Sequence, residues 1–116
     1  MSSEFITPEP QDFVNALGVE PNISGDTQRT LKLSDVIGED VTFSYDAVGG
    51  SVRVAWRAAS GGDLISIYRE GATLLRIIED DDGTRLLIEF RTRDTVGELR
   101  VQVFPELSIS ESQLLS

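Results

Sequence analysis

The chain has 116 residues, of which 40% are apolar and 26% charged, and its formal net charge is −10 at pH 7. It contains no histidine and no cysteine, and Lys32 is its single lysine beside nine arginines. This inventory excludes disulfides, thiolate sites and histidine-based catalysis or metal binding. The length and apolar content predict one domain over residues 1–116, with residues 1–6 and 111–116 as flexible ends.

The N-terminal segment bears on where the protein works. Residues 1–11 carry two acidic residues and two prolines, without the basic and apolar regions of a secretory signal. No apolar run approaches the roughly 18 to 20 residues that a membrane helix requires. We therefore expect a cytoplasmic protein that does not bind membranes.

Acidic residues are concentrated towards the ends of the chain. Residues 1–40 carry a net charge of −6, whereas residues 41–104 set ten acidic residues against eight arginines and carry −2. An excess of acid often serves only to keep a small domain soluble, but an acidic segment can also bind a basic partner. The sequence leaves both interpretations open.

The first predicted element is a short helix between Thr7 and Gly18. Thr7 is a suitable N-cap, Pro8 suits the first helical position, and Gly18 suits the position after the helix. Phe13, Val14 and Leu17 fall on one side of such a helix. An apolar stripe of this kind predicts packing against a sheet.

Alternation of apolar and polar residues predicts β-strands in the rest of the chain. A polar connector follows the helix at residues 21–27, and the alternation is clear from Asp40 onwards, with glycine-rich turns between the runs. The clearest hairpin signal is Asp81-Asp82-Gly83, because Asp-Gly readily adopts the positive φ values of a tight turn. The predicted strands cover residues 28–33, 41–46, 52–58, 63–70, 72–79, 84–92 and 98–104.

The predicted fold is mainly β, an antiparallel meander of six or seven strands that forms a small barrel or a two-layer sandwich, with one short N-terminal helix. The middle strands place apolar groups on both faces, as in Leu74-Leu75, Ile77-Ile78 and Leu86-Leu87-Ile88. A sheet with one hydrated face should alternate instead. The helix, closure of the sheet on itself, or another chain would have to cover the second face.

The residue inventory disfavours an enzyme. Of the usual histidine, cysteine and lysine catalysts, the chain offers Lys32 alone. Twenty acidic residues always offer pairs, so a carboxylate-based enzyme stays open.

Metal and cofactor sites are not predicted. If residues 79–83 are aligned as part of a calcium loop, its first position is Ile78, which supplies no side-chain oxygen, and strand-like residues flank it. The sequence also has no glycine-rich phosphate-binding motif. We expect no metal and no cofactor.

Arginines in the strand region are the candidate interaction residues. Arg53 and Arg57 share one side of their strand, and Arg85 and Arg91 share one side of theirs. Acidic residues are interleaved with these arginines, and cross-strand pairs of arginine and carboxylate commonly occupy a hydrated sheet face. The net negative charge disfavours nucleic-acid binding. The four arginines are therefore candidates for protein contacts.

These observations predict a non-enzymatic acidic protein-interaction domain that acts through an apolar sheet face or an exposed edge. The predicted partner is a protein, either a basic one or a second copy in a homodimer. Inhibitors and immunity-type partners of basic proteins share this small size and acidity. The alternatives are a self-associating structural unit, a carboxylate-based enzyme, or a small β-barrel ligand carrier with a cavity lined by Trp56, Tyr68 and Phe90.

Overall fold

The computed structural model describes residues 4–115, which form two antiparallel sheets and two helices. The helices are α1 (Pro10–Leu17) and α2 (Ser34–Ile37). The five-stranded sheet contains β1 (Asn22–Ile23), β2 (Gln28–Lys32), β3 (Asp40–Asp46), β4 (Ser51–Arg57) and β5 (Asp63–Glu70). The four-stranded sheet contains β6 (Ala72–Asp80), β7 (Gly83–Arg91), β8 (Thr95–Phe104) and β9 (Ser108–Leu115).

Each sheet is a simple meander in which strands adjacent in the sequence are adjacent in space. The strand order is β1-β2-β3-β4-β5 in one sheet and β6-β7-β8-β9 in the other. The chain passes from the first sheet to the second at Gly71, which has a φ of +81°. A Cβ at this position would lie 3.2 Å from the carbonyl oxygen of Arg91, so the crossing favours glycine.

The inner faces of the two sheets form the core. Leu31, Phe43 and Val54 of the five-stranded sheet and Leu86 and Ile88 of the four-stranded sheet are fully buried. The predicted mainly β, antiparallel fold is confirmed. Of the two predicted architectures the protein forms the sandwich, because the strands within residues 4–115 stay in two separate sheets.

The described chain has nine strands, two more than the upper prediction. The additional strands are β1, inside the predicted polar connector, and β9, beyond the last predicted strand. Both lie at the edge of a sheet, where they pair with β2 and β8 respectively. Both residues of β1 are exposed and give no apolar alternation, whereas the alternation of Leu107 and Ile109 with serines is compatible with an edge strand at β9.

The helix α1 begins later than predicted. Its N-cap is Glu9, whose N–H donates to the Asp12 carboxylate at 3.0 Å, and Pro10 occupies the first helical turn. The prediction of Thr7 as N-cap was wrong because Ile6 is held extended: its N–H donates to the Thr73 carbonyl at 3.0 Å. The predicted end at Gly18 is confirmed by a φ of +75° there.

The predicted packing of the helix on a sheet is also confirmed. Phe13 and Leu17 are buried, and α1 lies against β6. The ring of Phe13 stacks on Tyr45 with 5.6 Å between centroids. The second helix, α2, was not predicted, because a single turn of four residues leaves no periodic signal.

The apolar pairs of the middle strands do point to both faces. Leu75, Leu86 and Ile88 face the core, and the opposite sheet and α1 cover them. Leu87 faces outward but is only 7% exposed. It pairs in register with an arginine on each neighbouring strand, Arg76 and Arg100, whose aliphatic stems can cover it.

The ends of the described chain take part in the fold. Phe5 is buried in the core, Ile6 bridges to Leu74, and residues 108–115 form β9. Flexibility of residues 1–6 and 111–116 stays a prediction, and residues 1–3 and 116 lie outside the described part.

Candidate functional site

The sandwich separates the four candidate arginines into two pairs. Arg53 and Arg57 lie on the outer face of the five-stranded sheet. They alternate along β4 with Val52 and Val54, which are buried on the inner face. Arg85 and Arg91 lie on the outer face of the four-stranded sheet. The two outer faces of a sandwich point in opposite directions. The four arginines therefore form two separate surfaces.

On the four-stranded sheet, charges are paired within the face. Arg85 lies 2.7 Å from a carboxylate oxygen of Asp80, and Arg100 lies 3.1 Å from one of Glu98. The hydrogen bonds from Arg85, with a smaller contribution from the Asp82 N–H, hold the pKa of Asp80 below its ordinary value. Such neighbouring pairs are typical of a hydrated sheet surface, so this face is the weaker interaction candidate.

The outer face of the five-stranded sheet differs because an arginine stacks on a tyrosine there. The guanidinium carbon of Arg53 lies 5.2 Å from the centroid of the Tyr68 ring. Tyr68 is 52% exposed, and its hydroxyl donates to Glu70 at 3.1 Å. Arginine and tyrosine are both common at the energetic centres of protein interfaces. We name this surface, with Arg53 and Tyr68 at its centre, the Arg53–Tyr68 face.

Small and polar residues make the Arg53–Tyr68 face concave. Gln28, Ser44 and Ser51 flank the arginine and tyrosine around a concavity of about 420 Å³. Arg57 lies further along β4 and its guanidinium is 3.7 Å from the Asp63 carboxylate, with both side chains exposed. The arrangement offers cationic, aromatic and hydrogen-bonding groups to a partner.

Asp46 fixes the turn beside this face. Its carboxylate accepts hydrogen bonds from the N–H groups of Val48, at 3.0 Å, and Gly49, at 2.9 Å. It also accepts one from the Thr27 hydroxyl, at 2.8 Å, which joins the β3–β4 turn to the start of β2. These bonds, that of Gly49 foremost, hold the pKa of Asp46 below its ordinary value. Asp46 is thus held in place as a carboxylate.

A second concave surface lies at one end of the sandwich, around Trp56. The helix α2 ends at Gly38 with a φ of +74°, and the Val41 N–H donates to the Glu39 carbonyl at 2.8 Å. This turn brings the Glu39 carboxylate to the indole, whose Nε1–H donates to it at 3.3 Å. Trp56 is half-buried, so part of its ring remains accessible.

The surface around Trp56 combines an apolar floor with an acidic rim. Its volume is about 430 Å³. We call it the Trp56 pocket. Glu39 and Glu106 are its charged lining residues, and both are exposed. The apolar and aromatic lining residues are Val36, Ile37, Trp56, Val103, Phe104, Pro105 and Leu107.

Sequence reasoning missed this pocket. It gave Trp56 a functional place only in the alternative barrel cavity, and it singled out neither Glu39 nor Glu106. One signal for Glu39 was available in the sequence. If β3 and β4 are paired outwards from the turn at residues 47–50, Trp56 lies opposite Val41 and therefore close to Glu39. Glu106 reaches the pocket from the β8–β9 connection of the other sheet, and no local sequence pattern indicates that it lies near Trp56.

The aromatic residues proposed for a barrel cavity do not meet. Tyr68 is exposed on the outer face, whereas Phe90 is buried with the Arg69 guanidinium 5.2 Å from its ring centroid. Trp56 lies at the end of the sandwich. A common cavity lined by these three residues is therefore not formed.

Residues 4–115 contain no group of three or more acidic side chains placed to hold a metal ion. Neither described helix has the length and apolar character needed to span a bilayer.

The geometry defines a small antiparallel β-sandwich with one arginine–tyrosine face and one acidic, aromatic end pocket. The sequence matches no known protein family and no curated protein. Among solved structures, the fold is similar to a chain in a complex of a contact-dependent growth inhibition toxin with its immunity protein, from Klebsiella pneumoniae 342. The TM-score is 0.83 at 17% identity, over 97% of this chain and 100% of that chain. At this identity, the similarity shows a shared fold.

Proposed function

We propose that this protein is a non-enzymatic, immunity-type domain that binds a protein toxin and blocks its activity. The observation that carries the proposal is the overlap of fold with a chain of a toxin–immunity complex, over the full length of that chain. A match that leaves no part of the other chain uncovered argues that the whole domain is the shared unit, and not a fragment of it.

Charge and residue chemistry support the same proposal. A net charge of −10 favours a basic partner, because opposite charges accelerate association and suppress contacts with acidic proteins. A domain that lacks histidine and cysteine is poorly equipped for catalysis but fully equipped for binding. The proposal places the protein in the cytoplasm, with no role for nucleic acid or membrane.

The Arg53–Tyr68 face is the proposed contact surface on the sheet. Arg53 and Arg57 contribute cationic groups there, and Tyr68 contributes exposed aromatic area. Arg85 and Arg91 stay proposed contacts of lower rank, because they lie on the opposite face and Arg85 already binds Asp80.

The first test identifies the partner by its toxicity. Tagged protein is used to capture binding proteins from the source cell, and each captured protein is then expressed alone and together with this chain. We expect one captured protein to arrest growth when alone and co-expression to restore growth. Captured proteins that are all harmless, or a toxic one that this chain does not neutralise, would refute the proposed function.

Variants then test the Arg53–Tyr68 face. The double change Arg53→Ala and Tyr68→Ala should weaken toxin binding at least about tenfold, since truncation of central interface residues commonly costs about 1 to 2 kcal/mol. The matched control is Arg93→Ala, an exposed arginine in the β7–β8 turn, which should bind within about twofold of the wild type. Equal binding by all three proteins would remove this face from the interface.

A further inference from the structure

The Trp56 pocket has a composition that matches one kind of side chain. It joins an apolar and aromatic floor, formed by Trp56, Phe104 and Leu107, to a rim with two carboxylates, Glu39 and Glu106. We infer that the pocket receives an arginine side chain of the protein partner. The inference rests on the proposed function, which it deepens by naming the chemistry of one anchor.

The floor of the pocket suits an aliphatic stem and a flat cation. Trp56, Phe104 and Leu107 are all half-buried, so each presents accessible apolar surface while its other side packs on the core. The face of an indole attracts a cation more strongly than any other aromatic side chain. A guanidinium is planar and weakly hydrated, and therefore loses less than an ammonium on stacking against a ring.

The rim of the pocket supplies the opposite charge. Glu39 lies in the connection that precedes β3 of the five-stranded sheet. Glu106 lies in the connection between β8 and β9 of the four-stranded sheet. No basic residue is among the lining residues, which all lie within the described chain. A guanidinium has five N–H donors in a fixed fork, so it can donate to a carboxylate at the rim while its plane stacks on a ring.

Charge complementarity disfavours acidic and purely apolar occupants. An acidic side chain would meet two carboxylates of like charge. A purely apolar side chain would fill the floor but leave the rim charges partly desolvated without a partner, which costs free energy. The volume of about 430 Å³ is ample for one long side chain and lies in the lower part of the range of ligand pockets.

Trp56 allows a direct test, because it is the single tryptophan of the chain. The probe is N-acetyl-arginine amide, titrated into ¹⁵N-labelled protein while the Trp56 indole N–H signal is followed by NMR. The control probe is N-acetyl-citrulline amide, which keeps the shape and loses the charge. We expect a saturable shift with the arginine probe and at least about threefold weaker binding of the citrulline probe.

Variants link the signal to the rim. Glu106→Gln should weaken binding of the arginine probe at least about threefold, since it removes one carboxylate from an exposed site. The matched control is Glu20→Gln, an exposed change outside the lining, which should leave binding unaltered. Equal binding of the two probes, absence of a saturable shift, or equal binding by Glu106→Gln and wild type would overturn the inference.

The same variants separate this inference from the proposed function. If the double change Glu39→Gln and Glu106→Gln protects cells from the captured toxin as well as the wild type does, the pocket is not an anchor site and the immunity function stands. If no captured protein is toxic, the proposed function fails, while the NMR titration still decides whether the pocket binds arginine.

Discussion

At the scale of single residues, backbone geometry at the β6–β7 turn is the tightest constraint on the sequence. The turn lies where the sequence predicts it. However, Asp81 and Asp82 keep negative φ angles, and the positive φ falls on Gly83, at +135°. An added Cβ on Gly83 would overlap the Phe104 carbonyl oxygen. The sequence correctly predicted that Gly83 has a positive φ. Its close approach to the Phe104 carbonyl of β8 is visible only in the structure.

We therefore predict that Gly83→Ala destabilises the protein by about 2 to 4 kcal/mol, because it combines a strained φ with a steric overlap. Urea unfolding followed by Trp56 fluorescence measures the change. Gly62→Ala is the matched control, since a Cβ there meets no atom within 4 Å, and it should shift stability by less than about 1 kcal/mol. Similar losses in both variants would contradict the prediction.

A second residue-scale prediction concerns acid. The folded chain holds the pKa of Asp46 below its ordinary value of 3.8, so the folded state binds fewer protons than the unfolded state as the pH falls. The stabilisation from Asp46 is thus present above pH 3.8 and is lost as the pH falls through the lower pKa of the folded state. Asp46→Asn should therefore lose less stability than wild type between about pH 5 and pH 2.

Urea unfolding at several pH values across this range tests the prediction. The control variant is Ser60→Ala, an exposed change outside the β3–β4 turn that removes no ionisable group and should keep the wild-type dependence on pH. A slope for Asp46→Asn that equals that of wild type would show that the turn hydrogen bonds do not favour the ionised carboxylate.

At the scale of elements, an ion pair between Arg69 and Glu111 joins the two sheets. Arg69 of β5 faces the interior, where its guanidinium lies 5.2 Å from the centroid of the Phe90 ring and pairs with Glu111 of β9. Gly97 of β8 lies close by, since a Cβ added there would be 3.8 Å from a guanidinium nitrogen of Arg69. The pair connects edge strands of opposite sheets, and so ties β9 to the sandwich.

We predict a coupling free energy of about 0.5 to 1 kcal/mol between Arg69→Met and Glu111→Gln in a double-mutant cycle, because both side chains are only partly exposed. The comparison cycle uses Arg57→Met and Asp63→Asn, a pair 3.7 Å apart whose side chains are about 60% exposed. Its coupling should be near zero. Indistinguishable couplings in the two cycles would mean that β9 is held by pairing and packing alone.

At the scale of the whole molecule, the sandwich accounts for most of the apolar surface that the sequence left unassigned. The inner faces cover each other. Leu64 and Tyr68 share β5, and the other large exposed apolar residues lie on separate elements: Ile6, Ile23, Val48 and Leu114. The homodimer and the self-associating unit therefore lose their main argument, which was an apolar face left open in a single sheet.

We predict a monomer of 12.7 kDa by light scattering behind a size-exclusion column, at low and at high salt. Charge repulsion at −10 disfavours self-association at low salt, and no continuous apolar face remains on residues 4–115 to drive it when salt screens the charge. A mass twice as large at high salt would indicate an apolar contact between two copies, and would support the homodimer hypothesis against this prediction.

The sequence by itself determined the local features of this protein. Alternation along β3 to β8, the glycine turns and the apolar stripe of Phe13 and Leu17 are set by neighbouring residues, because strand period and turn conformation depend on local sterics. The same locality placed Arg53 with Arg57, and Arg85 with Arg91, on shared strand faces.

Tertiary structure alone decided how these parts meet. The crossing at Gly71 starts a second sheet, and so decides for a sandwich over a barrel and turns the two arginine pairs away from each other. It also brings Glu106, in the β8–β9 connection of the four-stranded sheet, close to Trp56 in β4 of the five-stranded sheet. Such contacts join residues distant in the sequence, and their energy depends on how whole sheets pack, for which no local pattern exists.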